Sequence, residues 1–395
     1  MKYILYSILL FLVLGCEERV EPNFSNHKLN LHLDIPQEAQ ELMGDTLAAI
    51  AVNFTNKGKD YSFTAYSDNS GNLQREDIES GIYTLSISQE FEQGIFNIVL
   101  NASADLTITE DNTDTLELNA VFIQTDGGGF IIREQYYSGS RTPAGKSYYH
   151  DQYIEIYNNS PDTLYADGLA IVELESIGNE ANYFGYMQSD SIVAKTIFQV
   201  PGQGDTYPIA PGTGFLIAED GLNHQSDPNG NPDSPVNLGD AEFEFFSDKS
   251  PGADIDYSAV NMIERLWVFK GNDMLFYVSG GSAIALVRIE GDAEQYIENN
   301  YVTKGTPTST SSYYCKIPNE WVIDAVEVTQ NDKLNKRLDN SLDAGSVAID
   351  AGTFSGLGIR RKVDKILNGR TIYKDTNNSS EDFDHDIIPN PRWYE

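Results

Sequence analysis

Leu29-Asn30-Leu31-His32-Leu33-Asp34-Ile35 alternates apolar and polar residues without a break. A period of two places the four apolar side chains on one face of a strand, the pattern of a half-buried sheet. The same period returns in Ile50, Val52 and Phe54 and, past the turn Asn56-Lys57-Gly58-Lys59, in Tyr61, Phe63 and Ala65. Ile82 to Ile87, Phe96 to Leu100, Leu106 to Ile108 and Leu116 to Leu118 continue it. Only residues 36–44 suggest a short helix or turn. Strands about 8–12 residues apart, parted by Gly and Asn turns, predict a β-sandwich.

Asp126-Gly127-Gly128-Gly129 interrupts the pattern and reads as a hinge, because successive glycines free the backbone. Beyond it, alternation in Tyr153-Ile154-Glu155-Ile156-Tyr157 sets Ile154 and Ile156 against Tyr153, Glu155 and Tyr157. Further strands are expected in Phe215-Leu216-Ile217-Ala218 and Val322-Ile323-Asp324-Ala325-Val326. The predicted fold is all-β: two β-sandwich modules, of immunoglobulin or prealbumin type, over 29–125 and 130–395.

The chain has 395 residues and a formal charge of −34. Its densest basic spot is Arg360-Arg361-Lys362, too little to follow a phosphate backbone, so nucleic acid is excluded as a partner. An acidic surface favours solubility and attracts cations. The two cysteines are Cys16 and Cys315. Cys315 lies in the alternating run Tyr313 to Ile317 and is expected to be a buried, inert thiol.

Lys2, the apolar run Ile4 to Leu14 and Gly15-Cys16 have the layout of a bacterial lipoprotein signal, with 1–15 removed and Cys16 carrying lipid. The apolar run is shorter than the roughly 20 residues that span a bilayer. Residues 16–28 then form a tether. Its Glu17-Glu18-Arg19-Val20-Glu21 resembles the signal that sends lipoproteins of Bacteroidota to the outer face of the outer membrane.

The run from Tyr66-Ser67-Asp68-Asn69-Ser70-Gly71 to Gly81-Ile82-Tyr83-Thr84-Leu85 resembles the prealbumin-like carboxypeptidase regulatory module. Four later motifs resemble the lamin-tail domain, an immunoglobulin-like sandwich. They are Glu155-Ile156-Tyr157-Asn158-Asn159-Ser160, Pro211-Gly212 to Ala218, Val322 to Val326, and Asp375-Thr376-Asn377-Asn378-Ser379 to Phe383. As a whole the chain resembles an uncharacterised lipoprotein family of Bacteroidota. Residues 130–391 are about twice what a lamin-tail sandwich needs, so long insertions are expected around 174–206 and 220–310. Binding residues favour such loops on a rigid scaffold.

Gly145-Lys146-Ser147 matches the tail of a P-loop, but five residues rather than four separate the glycines and Pro143 lies between them. The segment reads instead as a rigid loop bearing two positive charges, Arg141 and Lys146, beside the aromatic pair Tyr148 and Tyr149, expected to be exposed. These four are the candidate binding residues, since aromatic faces stack on sugars and other flat ligands. Asp227 to Asp233 spaces oxygen donors as a calcium loop does but lacks the sixth-position glycine and the distal Glu. Asp382-Phe383-Asp384-His385-Asp386 overlaps the last lamin-tail motif and is read as structural. No H-E-x-x-H, C-x-x-C or G-x-S-x-G occurs. The expectation is therefore a non-enzymatic protein with no cofactor or metal site. It is anchored to the outer membrane and binds a ligand, such as a glycan, or docks on a TonB-dependent transporter. The alternatives are a structural or adhesive lipoprotein without a small ligand and, third, a surface glycan hydrolase.

Overall fold

A computed structural model describes residues 26–37, 40, 49–59, 61–93, 96–109, 115–119, 121–125, 129–175, 181–248, 254–268, 271, 273–330 and 335–394. The signal 1–15, Cys16, the tether to residue 25, most of 36–44 and the glycines 127 and 128 lie outside these residues.

The chain is nearly all β, as its alternation predicts. The strand Asn26–Asp34 pairs antiparallel with Asn72–Glu79 and parallel with Thr115–Asn119. A five-stranded sheet accompanies it, in the order Tyr61–Tyr66, Ala51–Asn56, Gly81–Gln93, Phe96–Ile108, Val121–Thr125. Leu29, Leu31, Leu33 and Ile35 are buried with Val52, Phe54, Leu85 and Ile87 in one core. Each such side chain contributes about 1.5–3 kcal/mol by leaving water.

Two larger sheets form the rest. The first has the order Val260–Asn261, Phe243–Glu244, Gly214–Ala218, Tyr153–Asn158, Phe130–Tyr136, Gly358–Arg361, Phe383–Ile387. The second runs Tyr301–Val302, Tyr314–Pro318, Ser191–Gln199, Leu169–Leu174, Ile284–Arg288, Val322–Val326, with Ile263–Trp267 also paired to Ser191–Gln199. They share a core in which Ile132, Ile154, Ile156, Phe215 and Ile217 of the first meet Ile171, Phe198, Ile284 and Leu286 of the second. The outer face of the second sheet is covered by the helix Ala293–Asn299, through Ala293 and Ile297.

One expectation needs correcting. The segments around 174–206 and 220–310 are not loops added to a finished sandwich. They supply Ser191–Gln199, Ile263–Trp267 and Ile284–Arg288, which build the second sheet itself. Ser191–Gln199 is buried along its whole length and Ile284–Arg288 along most of it, so neither shows a regular alternation.

A buried ion pair joins the two sheets. Arg361 of the first donates both to Asp324 of the second, at 2.7 and 2.9 Å, and to Asp382. Asp324 also accepts the Ile132 amide at 2.6 Å. Burial pushes the Asp324 carboxyl up to about 6, against the pull of Arg361. Asp382 further accepts from Thr376, so the terminal acidic motif is structural. The N-terminal module meets this unit where Asn101 donates to the Thr376 carbonyl and Asn340 to the Ser103 carbonyl. Because breaking one partner of a buried pair leaves the other charge uncompensated, Asp324→Ala should cost about 3–5 kcal/mol. Chemical denaturation followed by tryptophan fluorescence measures this, and a loss below about 1 kcal/mol would contradict the role given to the pair.

Candidate functional site

Tyr153 pairs with Ala218 at the ends of two adjacent antiparallel strands. Continuing both chains by one residue brings Glu219 beside Gln152, where the Glu219 amide donates to the Gln152 carbonyl at 2.9 Å. His150, Glu219 and Asp220 therefore gather at one end of the first sheet. A third segment is fixed there by Gln152, whose buried side-chain amide mimics a strand: its oxygen accepts the Phe276 amide at 2.8 Å and its nitrogen donates to the Phe276 carbonyl at 3.0 Å. That clamp holds Asp273 near the same point.

His150 Nδ1 lies 3.1 Å from Glu219 Oε2, 3.5 Å from Asp220 Oδ2 and 3.6 Å from Asp273 Oδ2. Glu219 is only 3% exposed. Burial, reinforced by Asp273 and Asp254, drives its carboxyl well above the usual range. Burial and Glu219 lift Asp220 to about 9. Glu244 and Asp254, around the same cluster, are raised by burial to about 7 and about 6. Gly221 permits this crowding: a Cβ there would stand 2.9 Å from Glu244 Oε2 and from the Ala259 methyl.

The aromatic pair frames the histidine. The Tyr148 and Tyr149 rings lie 5.6 and 4.9 Å from the His150 ring. Tyr148 is not exposed as expected but buried, with its hydroxyl 2.8 Å from His224 Nδ1. Burial lowers His224 to about 4, so near neutral pH its ring is uncharged. The ring nitrogen facing the Asp220 carbonyl, at 3.2 Å, is then the donor, and Nδ1 accepts from Tyr148. Tyr148 thus positions the Asp220 backbone, and a favoured strand residue has become a buried hydroxyl donor.

Beside the cluster opens a pocket of about 440 Å³ over the second sheet, closed by the segments of Tyr149, residues 271–278 and Phe354. Tyr149, Trp267, Tyr277 and Phe354 give it ring-bearing walls, Asp273 lies on its border, and Glu173 and Lys195 give it a charged pair. Lys195 Nζ stands 2.9 Å from Glu173 and 4.6 Å from the centre of the Tyr277 ring. Of the four residues singled out from sequence, Tyr149 lines the pocket. Arg141 reaches its rim by stacking 4.7 Å over Phe354. Lys146 stays exposed at the tip of the hairpin made by Ser140–Arg141 and Ser147–Tyr148, which has no P-loop geometry.

Other sequence candidates are accounted for by structure. In the Asp227 to Asp233 loop, Asp227 accepts the Asn229 amide and buried Asn231 donates to Ser140. Asp350, His385 and Asp386 come together on the surface, but Asp386 accepts the amides of residues 350 and 351. A second, larger groove of about 550 Å³ runs between the N-terminal sheet and the Lys336 and Ser380 segments, walled mostly by Ser, Thr and Asn.

The architecture is thus a mostly-β protein with a ring-walled pocket and an adjoining carboxylate–histidine cluster. Residues 210–390 match the family described as "Protein of unknown function (DUF4876)". The chain is also similar to the crystal structure of a DUF4876 family protein from Bacteroides thetaiotaomicron VPI-5482, with 27% identity and a TM-score of 0.60 over 92% of this chain and 96% of that one. No curated protein matches. The family match includes Glu219, Asp220 and Asp273 but begins after His150.

Cys315, fully buried in the second sheet, has its thiol pushed up to about 12 by burial. In a Cys16→Ser chain it is the sole thiol. It should resist a thiol-reactive aromatic disulfide at pH 8 until denaturant is added; full reaction of the folded chain within minutes would contradict this burial.

Proposed function

We propose that the chain is a lipid-anchored binding protein of the outer-membrane surface. It captures a small ligand bearing a flat or ring-shaped apolar part in the ring-walled pocket, and works as an accessory to an outer-membrane transporter. The pocket carries this reading. Its volume falls within the roughly 300–1,000 Å³ usual for small-ligand sites. Its rings offer stacking surface, and the Glu173–Lys195 pair offers polar groups that fix orientation. The lipoprotein-signal layout that ends at Cys16 and the acidic residues behind it support the location. The resemblance to prealbumin-like and lamin-tail modules supports a rigid, non-catalytic scaffold.

A second, adhesive reading has one observation of its own. The hairpin of Val363–Leu367 and Arg370–Tyr373 presents Val363, Ile366 and Leu367 to solvent. Exposed apolar side chains on one hairpin suit a protein partner.

An anionic naphthalene dye, flat and ring-bearing, serves as the probe for the pocket. It should bind the folded protein saturably, and Leu275→Trp, which fills the pocket, or Trp267→Ala, which removes a wall, should weaken binding at least about tenfold. Unsaturable binding, or equal binding by all three proteins, would contradict capture there. For the location, intact cells treated with protease should lose the protein, and Cys16→Ser should abolish fatty-acid labelling; protection in intact cells would contradict a surface position.

A further inference from the structure

We propose that His150, Glu219 and Asp273, with Asp220 beside them, hold a divalent transition-metal ion of the manganese-to-zinc series. The inference does not depend on what the pocket captures.

Geometry is the first argument. Nitrogen and oxygen ligands stand about 2.0–2.2 Å from such an ion, so neighbouring ligands around it are roughly 3–3.5 Å apart. His150 Nδ1 stands 3.1, 3.5 and 3.6 Å from oxygens of Glu219, Asp220 and Asp273. The nearest ligand atoms of His150, Glu219 and Asp273 all fall within 4.8 Å of one another. One point in space is therefore within reach of three side chains from three separate segments.

Unmet hydrogen bonding is the second. Glu219 is buried and turned into the cluster, and His150 Nδ1 is its only hydrogen-bonding partner among the described residues, at 3.2 and 3.1 Å from its two oxygens. A single ring nitrogen carries at most one proton on that face. The two buried oxygens of Glu219 thus share that one nitrogen, and Asp220 and Asp273 face it too. Among the described residues no Lys or Arg forms an ion pair with any of the three. Burial without a cation penalises the charged form of such groups, and a divalent ion would offset that cost.

Support for the ligands is the third. Glu219 and Asp220 follow directly on a sheet strand, the His150 ring is flanked by Tyr148 and Tyr149, and Gln152 pins the segment after Asp273. Ligands fixed in this way need little reorganisation to bind. The donor set chooses the ion. One imidazole nitrogen among carboxylates favours manganese, iron, cobalt or zinc over calcium and magnesium, which take oxygen alone, and the lack of thiolate disfavours copper(I).

The test is isothermal titration of the chelator-stripped Cys16→Ser protein with manganese or zinc chloride, with calcium chloride as comparison and no organic ligand present. One equivalent of manganese or zinc should bind, more tightly than calcium. Glu219→Gln and Asp273→Asn should weaken it more than about 100-fold, since losses in outer-shell partners alone cost about 10–100-fold. If Glu219→Gln fails to fold, Asp273→Asn and His150→Gln, at partly exposed positions, decide the matter. The pocket-filling Leu275→Trp should keep the metal, which separates failure of this site from failure of the pocket reading. No stoichiometric binding, a preference for calcium, or unchanged binding in the variants would overturn the proposal.

Discussion

The pairing of Tyr153 with Ala218 is the constraint on which the site depends. A strand's side chains alternate between faces, so a slip of one residue would turn every one of them over. Ile154, Ile156, Phe215 and Ile217 are locked into the shared core and forbid that slip. The register they fix also decides what lies just past the strand ends: Gln152 across from Glu219, with His150 two residues back. Core packing thereby sets the geometry of polar groups that take no part in it.

A comparison within the molecule gives the cluster its meaning. Several other buried carboxylates have cations or several donors around them. Asp324 and Asp382 face Arg361, while Glu155 accepts from Arg133, Tyr394 and the Arg392 amide. Asp167, nearer the surface, is wrapped by the amides of residues 203, 204, 206 and 207. Each of these acids has donors that explain its place. Glu219, as deeply buried, has one histidine nitrogen, which it shares with two further acids.

Strand alternation made the N-terminal core legible. Leu29 to Ile35, Val52 and Leu85 were assignable because one face of each strand is polar. The split of Ile154 and Ile156 from Tyr153, Glu155 and Tyr157 was equally readable, although the polar face is covered by the C-terminal Arg392 and Tyr394 rather than by water. Two strands of the second sheet, Tyr314–Pro318 and Val322–Val326, were readable, but others such as Ser191–Gln199 are buried along their whole length and lose their period. Of the site, sequence reached the Tyr148-Tyr149 neighbourhood but could not tell the buried tyrosine from the half-buried one. Metal-ligand motifs of fixed local spacing do not include the residues of the cluster. Here they sit at 150, 219–220 and 273, brought together by pairing and by the Gln152 clamp. One signal was present: Phe215-Leu216-Ile217-Ala218 runs straight into Glu219-Asp220, two acids at the mouth of an apolar strand.

Anomalous X-ray scattering from crystals grown with manganese tests the account most directly, because it reads strand register and ligand geometry together. The account predicts one strong peak about 2.2 Å from His150 Nδ1 and from a Glu219 oxygen, within reach of Asp273. A well-ordered site with no such peak, or with the Glu219 carboxylate turned away from His150, would contradict it.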